Sequence, residues 1–303
     1  MATSYSPLRY PGGKQILARV LAHLVRLNGA TGGTYAEPYA GGAGAALALL
    51  YGEHVHRILI NDADACVYAF WKAVLTETDQ FVDLVRTKPL TVREWERQRA
   101  IYQNPGSHSQ LRLGFATFYL NRCNRSGIIS NAGPIGGKNQ AGRWKIDARF
   151  TRDELERRIR KIAVYSERIS VTNLDAIDFL QDHIAPLAAS EKPFVYLDPP
   201  YYAKASGLYL NYYEPGDHAL LAGFLKKATF PWVLSYDNVP EIRALYASHR
   251  QVTFDLGYSA RECRVGKEVL VLKRRFTFPG AWSSRIPSEF ITAADRIAIA
   301  MPA

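Results

Sequence analysis

Asp198-Pro199-Pro200-Tyr201 follows directly on the apolar run Phe194–Leu197. An acid, two prolines and a tyrosine at the end of a strand suit group transfer to the exocyclic amine of a nucleobase. The lone pair of such an amine is delocalised into the ring, so it is a poor nucleophile. Two acceptors at its two hydrogens pull it toward a pyramidal shape and stabilise the positive charge that develops on attack. The Asp198 carboxylate is one acceptor. The Pro199 carbonyl is the other, held in direction because proline fixes its own φ. Tyr201 offers a flat face on which an extruded base stacks, worth roughly 1–3 kcal/mol. A base inside a duplex cannot reach such a pocket unless it is flipped out. A proline-punctuated turn explains the two prolines, but not the acid or the tyrosine.

A second motif, Ala36-Glu37-Pro38-Tyr39-Ala40-Gly41-Gly42-Ala43-Gly44, leaves one predicted strand and enters a predicted helix. Glycines there let backbone approach a ligand at the C-terminal edge of a parallel strand, where open α/β sheets bind ligands. Asp62 follows 18 residues past Gly44 at the end of the next predicted strand. A carboxylate there accepts hydrogen bonds from both hydroxyls of a ribose. A glycine-rich turn with a helix N-cap fits the glycine run equally well. Ala45, Ala46 and Leu47 break the GxGxxG pattern, and Glu37 would sit unfavourably beside a pyrophosphate. The motif better suits a cofactor with a cationic or amino group. A third motif, Tyr10-Pro11-Gly12-Gly13-Lys14, is similar to the end of a phosphate-binding loop. Leu8 stands where glycine is needed, Gln15 where Ser or Thr should follow, and no strand precedes it, which argues against a nucleoside triphosphate. Lys14 either reaches the ligand pocket or lies on a surface turn.

These motifs need a sheet to bring them together. Short β-branched and aromatic runs predict strands at 34–37, 56–60, 169–172, 194–197, 232–236, 251–256 and 268–274. Amphipathic stretches predict helices at 14–27, 43–51, 64–76, 174–182, 217–228 and 239–248. This alternation indicates an α/β domain with a mainly parallel sheet. The link Gly257 to Lys267 is shorter than a parallel crossover requires, so the final pair is expected to be antiparallel. From about 77 to 165 the alternation stops, and helices at 81–86, 91–103, 109–121 and from Arg152 to Tyr165 read as an inserted module. No pattern resumes after Pro279.

With 303 residues, 48% of them hydrophobic and 22% charged, the chain has room for about two domains and excludes disorder or a fibre. Three scattered cysteines (Cys66, Cys123, Cys263) give neither a disulfide framework nor a metal knuckle, so a reducing cytoplasm is expected. The N-terminus has no apolar signal region and no run is long enough to span a membrane. His54 and His56 lack further ligands at metal spacing, so no metal is expected. The net charge is +10. From Gln110 to Tyr165 twelve Lys/Arg stand against four Asp/Glu, so one stretch carries most of the excess. Glu154 to Lys161 reads as a solvated helix face with paired charges. Asn121 to Lys145 instead mixes basic residues with Gly, Asn and Ser in a loop or hairpin, and loops of that size are usually functional.

Taken together, YPGGK, EPYAGGAG, the IND run at 60–62, the FYLNR run at 118–122 and DPPY resemble the motif set of Dam-type DNA adenine N6-methyltransferases, in the family's order. The resemblance extends over about 270 residues. It implies a Rossmann-like seven-stranded methyltransferase sheet with its last strand antiparallel, and an inserted, mainly helical target-recognition module. It implies S-adenosylmethionine as methyl donor and double-stranded DNA as partner. Residues 1–76 and 166–277 would form the catalytic domain and 77–165 the recognition module, with 278–303 unassigned. By position, Tyr10, Lys14, Glu37, Pro38, Gly41, Gly44, Asp62 and Asp198 would line the cofactor pocket. Asp198, Pro199, Pro200 and Tyr201 would hold the adenine amine. Tyr10 replaces the tryptophan of the family's best-known branch, preserving an aromatic wall. The segment after Arg122 differs from that branch, so its recognition sequence is not carried over.

Asn, Gln and Arg can read base edges bidentately and Lys mainly meets phosphate. The expected DNA contacts are therefore Arg122, Asn124, Arg125, Lys138, Asn139, Gln140, Arg143 and Lys145, with Trp144 either a wedge into the stack or a core residue. A monomer is expected, with a cognate restriction nuclease as an optional companion. Three rivals remain at this level. Cytosine N4 or RNA methylation would use the same fold. A nicotinamide oxidoreductase lacks its GxGxxG, and an idle DNA-binding relative would not need Asp62 and Asp198.

Overall fold

The computed structural model describes residues 5–9, 17–202, 213–258 and 264–278. Thr34–Glu37 (β1), Arg57–Asn61 (β2), Ile169–Thr172 (β3), Phe194–Leu197 (β4), Trp232–Asp237 (β5), Arg250–Tyr258 (β6) and Arg264–Leu272 (β7) form one sheet, in the order β3-β2-β1-β4-β5-β7-β6. Strands β1 to β5 pair in parallel. β7 lies antiparallel between β5 and β6, with Tyr258 opposite Arg264 at the closed end of the β6–β7 pair. The short link thus enforces the antiparallel pairing expected of it.

Side chains alternate across this sheet with a period of two. Tyr35, Ile58, Ile60, Phe194, Tyr196, Val233, Leu270 and Leu272 face one core. Ala36, Val195, Leu197, Trp232, Leu234, Tyr236, Val269 and Val271 face the other. A sheet buried on both sides needs helices on both. The first face carries Ala18–Leu27 (α1), Gly44–Tyr51 (α2) and Ala65–Thr76 (α3). In α1, Val20, Leu21, Leu24 and Val25 bury one stripe at helical spacing.

Between β2 and β3 the chain adds Thr78–Thr87 (α4), Val92–Gln103 (α5), Gln110–Cys123 (α6) and Arg152–Val164 (α7). α6 is buried without interruption from Leu113 to Cys123. A Cβ on Gly114 would come within 2.4 Å of the Ala69 carbonyl oxygen, so only glycine lets α6 approach α3 this closely. Phe118 stacks on Phe70 and meets Phe81 and Phe150 edge-on. The inserted helices therefore share one continuous apolar cluster with α1 to α3.

The second face carries Ala176–Phe179 (α8, continued by a wider turn over Leu180–Ile184), Pro215–Lys227 (α9) and Pro240–Leu245 (α10). Helix ends differ from the sequence expectation mainly at caps. Pro215 and Pro240 stand at the first helical position, where their missing N–H is harmless, and so set the starts of α9 and α10. Among the described residues no helix is long and apolar enough to cross a membrane.

Candidate active site

From β1 the chain runs outward to β2 and β3. From β4 it runs the other way, to β5. Ligands of open α/β sheets bind at this reversal, beyond the carboxyl ends of the strands. Glu37 closes β1 and Asp198 follows β4 there, each two residues past a buried tyrosine of its own strand. The Tyr35 hydroxyl donates to Glu37 Oε1 at 2.8 Å. Burial pushes the Glu37 carboxyl up to about 8; the Tyr35 hydrogen bond opposes this and the charge of Asp198 adds to it. The Ser235 hydroxyl, on β5, donates to Asp198 Oδ1 at 2.8 Å. Because Ser235 spends its proton there, the Tyr196 hydroxyl, 2.8 Å from Ser235 Oγ, donates to it. The Asp198 carboxylate is thus held by the Ser235 hydroxyl, which the Tyr196 hydroxyl holds in turn.

The glycine motif turns through left-handed backbone at Gly41 and Ala43, both at φ 45°. The Gly41 N–H donates to Asp62 Oδ2 at 2.8 Å and the Asp64 N–H to Asp62 Oδ1 at 3.0 Å. Burial pushes Asp62 up to about 7, with the Asp64 charge adding and the two N–H groups opposing. The Trp71 indole N–H donates to the Gly41 carbonyl at 2.9 Å and pins the loop to α3. Asn61 is fully buried. Its amide donates to the Pro38 and Leu174 carbonyls at 3.0 Å each, and its oxygen accepts from Thr172 Oγ1 and the Leu174 N–H. One side chain thereby ties the ends of β1, β2 and β3 together.

After the two prolines, Tyr201 and Tyr202 straddle the sheet edge. The Tyr201 hydroxyl donates to Glu268 Oε1 at 2.5 Å, and the Tyr202 N–H donates to Asp237 Oδ1 at 3.0 Å. The Tyr202 ring packs at 5.0 Å from that of His218 on α9, which Tyr213 also contacts. Tyr39 and Tyr213 share a hydrogen bond of 2.8 Å between their hydroxyls. Tyr202 and Tyr213 are therefore packing residues. Tyr10 and Lys14, expected in the cofactor pocket, lie outside the described residues.

Sequence reading missed Asn61 as a side chain, together with Ser235, Asp237 and Glu268. The sequence carries their residue types but not their partners. Ser235 and Asp237 are polar at alternate positions of an otherwise apolar strand, and Glu268 is a lone acid before Val269-Leu270-Val271-Leu272.

The basic segment divides in two. Arg125, Lys138, Asn139, Arg143 and Lys145 are exposed. Lys138 lies 3.8 Å from Glu96, and Lys145 folds back onto the Gln140 carbonyl at 2.5 Å. Arg122, Asn124 and Gln140, also expected to touch DNA, spend their side-chain polar groups within the protein. Arg122 is 9% exposed and donates to the Arg149 and Pro7 carbonyls. Asn124 is fully buried; it accepts from the Trp95 indole at 2.6 Å and donates to the Ile128 and Ile129 carbonyls. Gln140 staples its own loop, donating to the Ile135 and Gly137 carbonyls and accepting from the Ile146 N–H. The reason is common to all three: irregular backbone needs partners for its polar groups, and amide and guanidinium side chains supply them. Trp144 is 63% exposed, which excludes the core alternative. Burial pushes the Cys123 thiol up to about 12, so the nearby cations do not activate it.

A family model described as D12 class N6 adenine-specific DNA methyltransferase matches residues 10–258. No curated protein matches the chain. Among solved structures, the rRNA methyltransferase aviRa from Streptomyces viridochromogenes is similar over 87% of this chain and 86% of its own, at 15% identity and a TM-score of 0.38.

Proposed function

The chain belongs to the D12 class of N6 adenine-specific DNA methyltransferases, and from this premise we propose that it moves a methyl group from S-adenosylmethionine to N6 of an adenine flipped out of double-stranded DNA. The observation that carries this reading is the convergence of Glu37, Asp62 and Asp198 at the carboxyl ends of β1, β2 and β4, beside a glycine turn.

The residues present fit that donor. Two carboxyls raised toward neutrality, Glu37 buried and Asp62 half-buried, favour a ligand that brings positive charge and hydroxyl donors rather than a pyrophosphate. Glu37 would hold the cationic part, Asp62 the ribose diol, and Pro38, Gly41 and Gly44 would allow the close backbone approach. When bound, S-adenosylmethionine supplies an electrophilic methyl group on a sulfonium centre. Asp198 and the Pro199 carbonyl accept from the two hydrogens of N6, while Pro200 rigidifies the turn and Tyr201 stacks on the base. Ser235 and Tyr196 keep the Asp198 carboxylate in one orientation, so its charge opposes the one developing on N6. The proton shed by N6 leaves along the same hydrogen bond to Asp198. Transfer in one displacement then depends on positioning.

Residues 77–165 carry recognition, and 1–76 with 166–277 carry catalysis. Arg125, Lys138, Asn139, Arg143 and Lys145 meet the duplex. The Arg143 guanidinium lies 5.4 Å from the centre of the exposed Trp144 ring. A flat ring flanked by cations suits insertion beside a base pair. The enzyme acts as a monomer and needs no restriction nuclease.

The test is incubation with labelled S-adenosylmethionine and methylation-free genomic DNA, followed by mass spectrometry of the nucleosides. N6-methyladenine is expected, and sequencing then gives the site. N4-methylcytosine would overturn the base assignment. Absence of both transfer and cofactor binding would overturn the proposal as a whole.

A further inference from the structure

Glu268 opens an apolar run on β7 and is only 1% exposed. In the antiparallel register it stands opposite Asp237 of β5, so both carboxylates lie on one face of the sheet. Each holds one of two consecutive residues: Glu268 the Tyr201 hydroxyl at 2.5 Å, Asp237 the Tyr202 N–H at 3.0 Å. Burying a carboxylate is unfavourable unless hydrogen bonds compensate it, so an acid in this run calls for more than packing. A tyrosine ring is set by two torsions. Holding the hydroxyl, which lies on the axis of the second torsion, fixes where the ring stands, and the preference of a phenolic O–H for the ring plane then biases its tilt toward the acceptor. A stacking partner with a preset plane avoids the ordering cost a mobile ring would incur on binding.

We infer that Glu268 is a positioning residue for base capture: through Tyr201 it presets the plane on which the flipped adenine stacks. This rests on the reading that DPPY receives the adenine. It adds a role for a residue 67 positions further along the chain.

The experiment compares Glu268→Ala, Glu268→Gln, Tyr201→Phe and the double variant Tyr201→Phe/Glu268→Ala on a duplex carrying the mapped site. One strand set has adenine at the target and another 2-aminopurine. Tyr201→Phe keeps the ring and removes only the hydroxyl. Both it and Glu268→Ala should lower kcat on the order of 10–100-fold, with cofactor affinity unchanged and 2-aminopurine emission altered in the same direction. The double variant should be no worse than either single one, because both remove one interaction. Glu268→Gln keeps an acceptor oxygen and should recover most of kcat.

Multiplying losses in the double variant would overturn the inference. So would wild-type kcat and emission in Glu268→Ala, or a loss in that variant matched by weaker cofactor binding. Failure of the wild type to form N6-methyladenine on this duplex would instead overturn the underlying reading, whatever the variants do.

Discussion

The carboxyl edge of the sheet and the loop from Asn124 to Phe150 handle charge in opposite ways. At the edge, Glu37 is buried and Asp62 half-buried, and desolvation raises both carboxyls toward neutral pH. Each is fixed to a strand end or to backbone N–H groups. In the loop, Arg125 and Arg143 are exposed, and the chain is held by its own carbonyls. Arg122 marks the boundary between the two regimes. Burial, with Arg9, Arg158 and Arg149 nearby, brings its guanidinium down to about 9. Three residues later, Arg125 has left the buried end of α6 and is solvated. The same residue type is a structural clamp on one side of that boundary and a candidate DNA contact on the other. Position relative to the core, not composition, decides which.

The most severe break in the edge is Asp198→Ala. It removes the proposed amine acceptor together with its charge, so methyl transfer should fall on the order of 10²–10³-fold, while DNA affinity stays close to wild type. Single-turnover kinetics and filter binding on one preparation check this. Near-normal turnover would remove the carboxylate from the chemistry. Asn124→Ala breaks the loop side instead. It leaves the buried Trp95 indole N–H and two carbonyls without their partner. The expected loss is about 2–3 kcal/mol in urea unfolding. A loss of DNA affinity at unchanged stability would return Asn124 to the contact surface.

How far the sequence showed this division follows from what patterns encode. Strand positions were legible because both faces of the sheet are buried, so β-branched runs such as Phe194–Leu197 stand out whole. The antiparallel end was legible because an eleven-residue link cannot hold a crossover. DPPY and the glycine motif were legible as local strings. Ser235, Asp237 and Glu268 were not, because their partners lie far off in the chain: the pairing of β4 with β5 brings Ser235 to Asp198, and that of β5 with β7 sets Glu268 beside Asp237, where Tyr201 and Tyr202 reach them. Arg122 and Asn124 were assigned to DNA because residue type alone does not report the side of α6 on which a chain end emerges.

The edge can also be read through pH. Glu37 keeps its proton below about 8, well above the usual carboxylate range. A cation bound beside it must displace that proton, so cofactor affinity should rise with pH toward 8, by at most tenfold per unit. Without ligand the sign reverses. A raised acid stabilises the fold at low pH, and that contribution is lost as pH rises through about 8. Glu37→Gln should flatten both dependences. Calorimetry in two buffers of different ionisation heat measures the released proton directly. Equal slopes in the variant and the wild type would assign the pH dependence to another group.

The smallest expected effect sharpens the loop side. Arg143 is exposed, and its guanidinium lies 5.4 Å from the centre of the Trp144 ring. Arg143→Ala should leave unfolding unchanged, because a solvated side chain contributes little to the fold. If Arg143 meets phosphate, DNA affinity should drop uniformly across sequences and the slope of log K against log salt should lessen by about one. If it reads a base edge, the slope should change less and discrimination at one position should relax. Arg122→Ala supplies the contrast: stability falls because two backbone carbonyls and a packed guanidinium are lost together. A reduced salt slope in Arg122→Ala at full stability, with none in Arg143→Ala, would reverse the two assignments and move the boundary to the other side of Asn124.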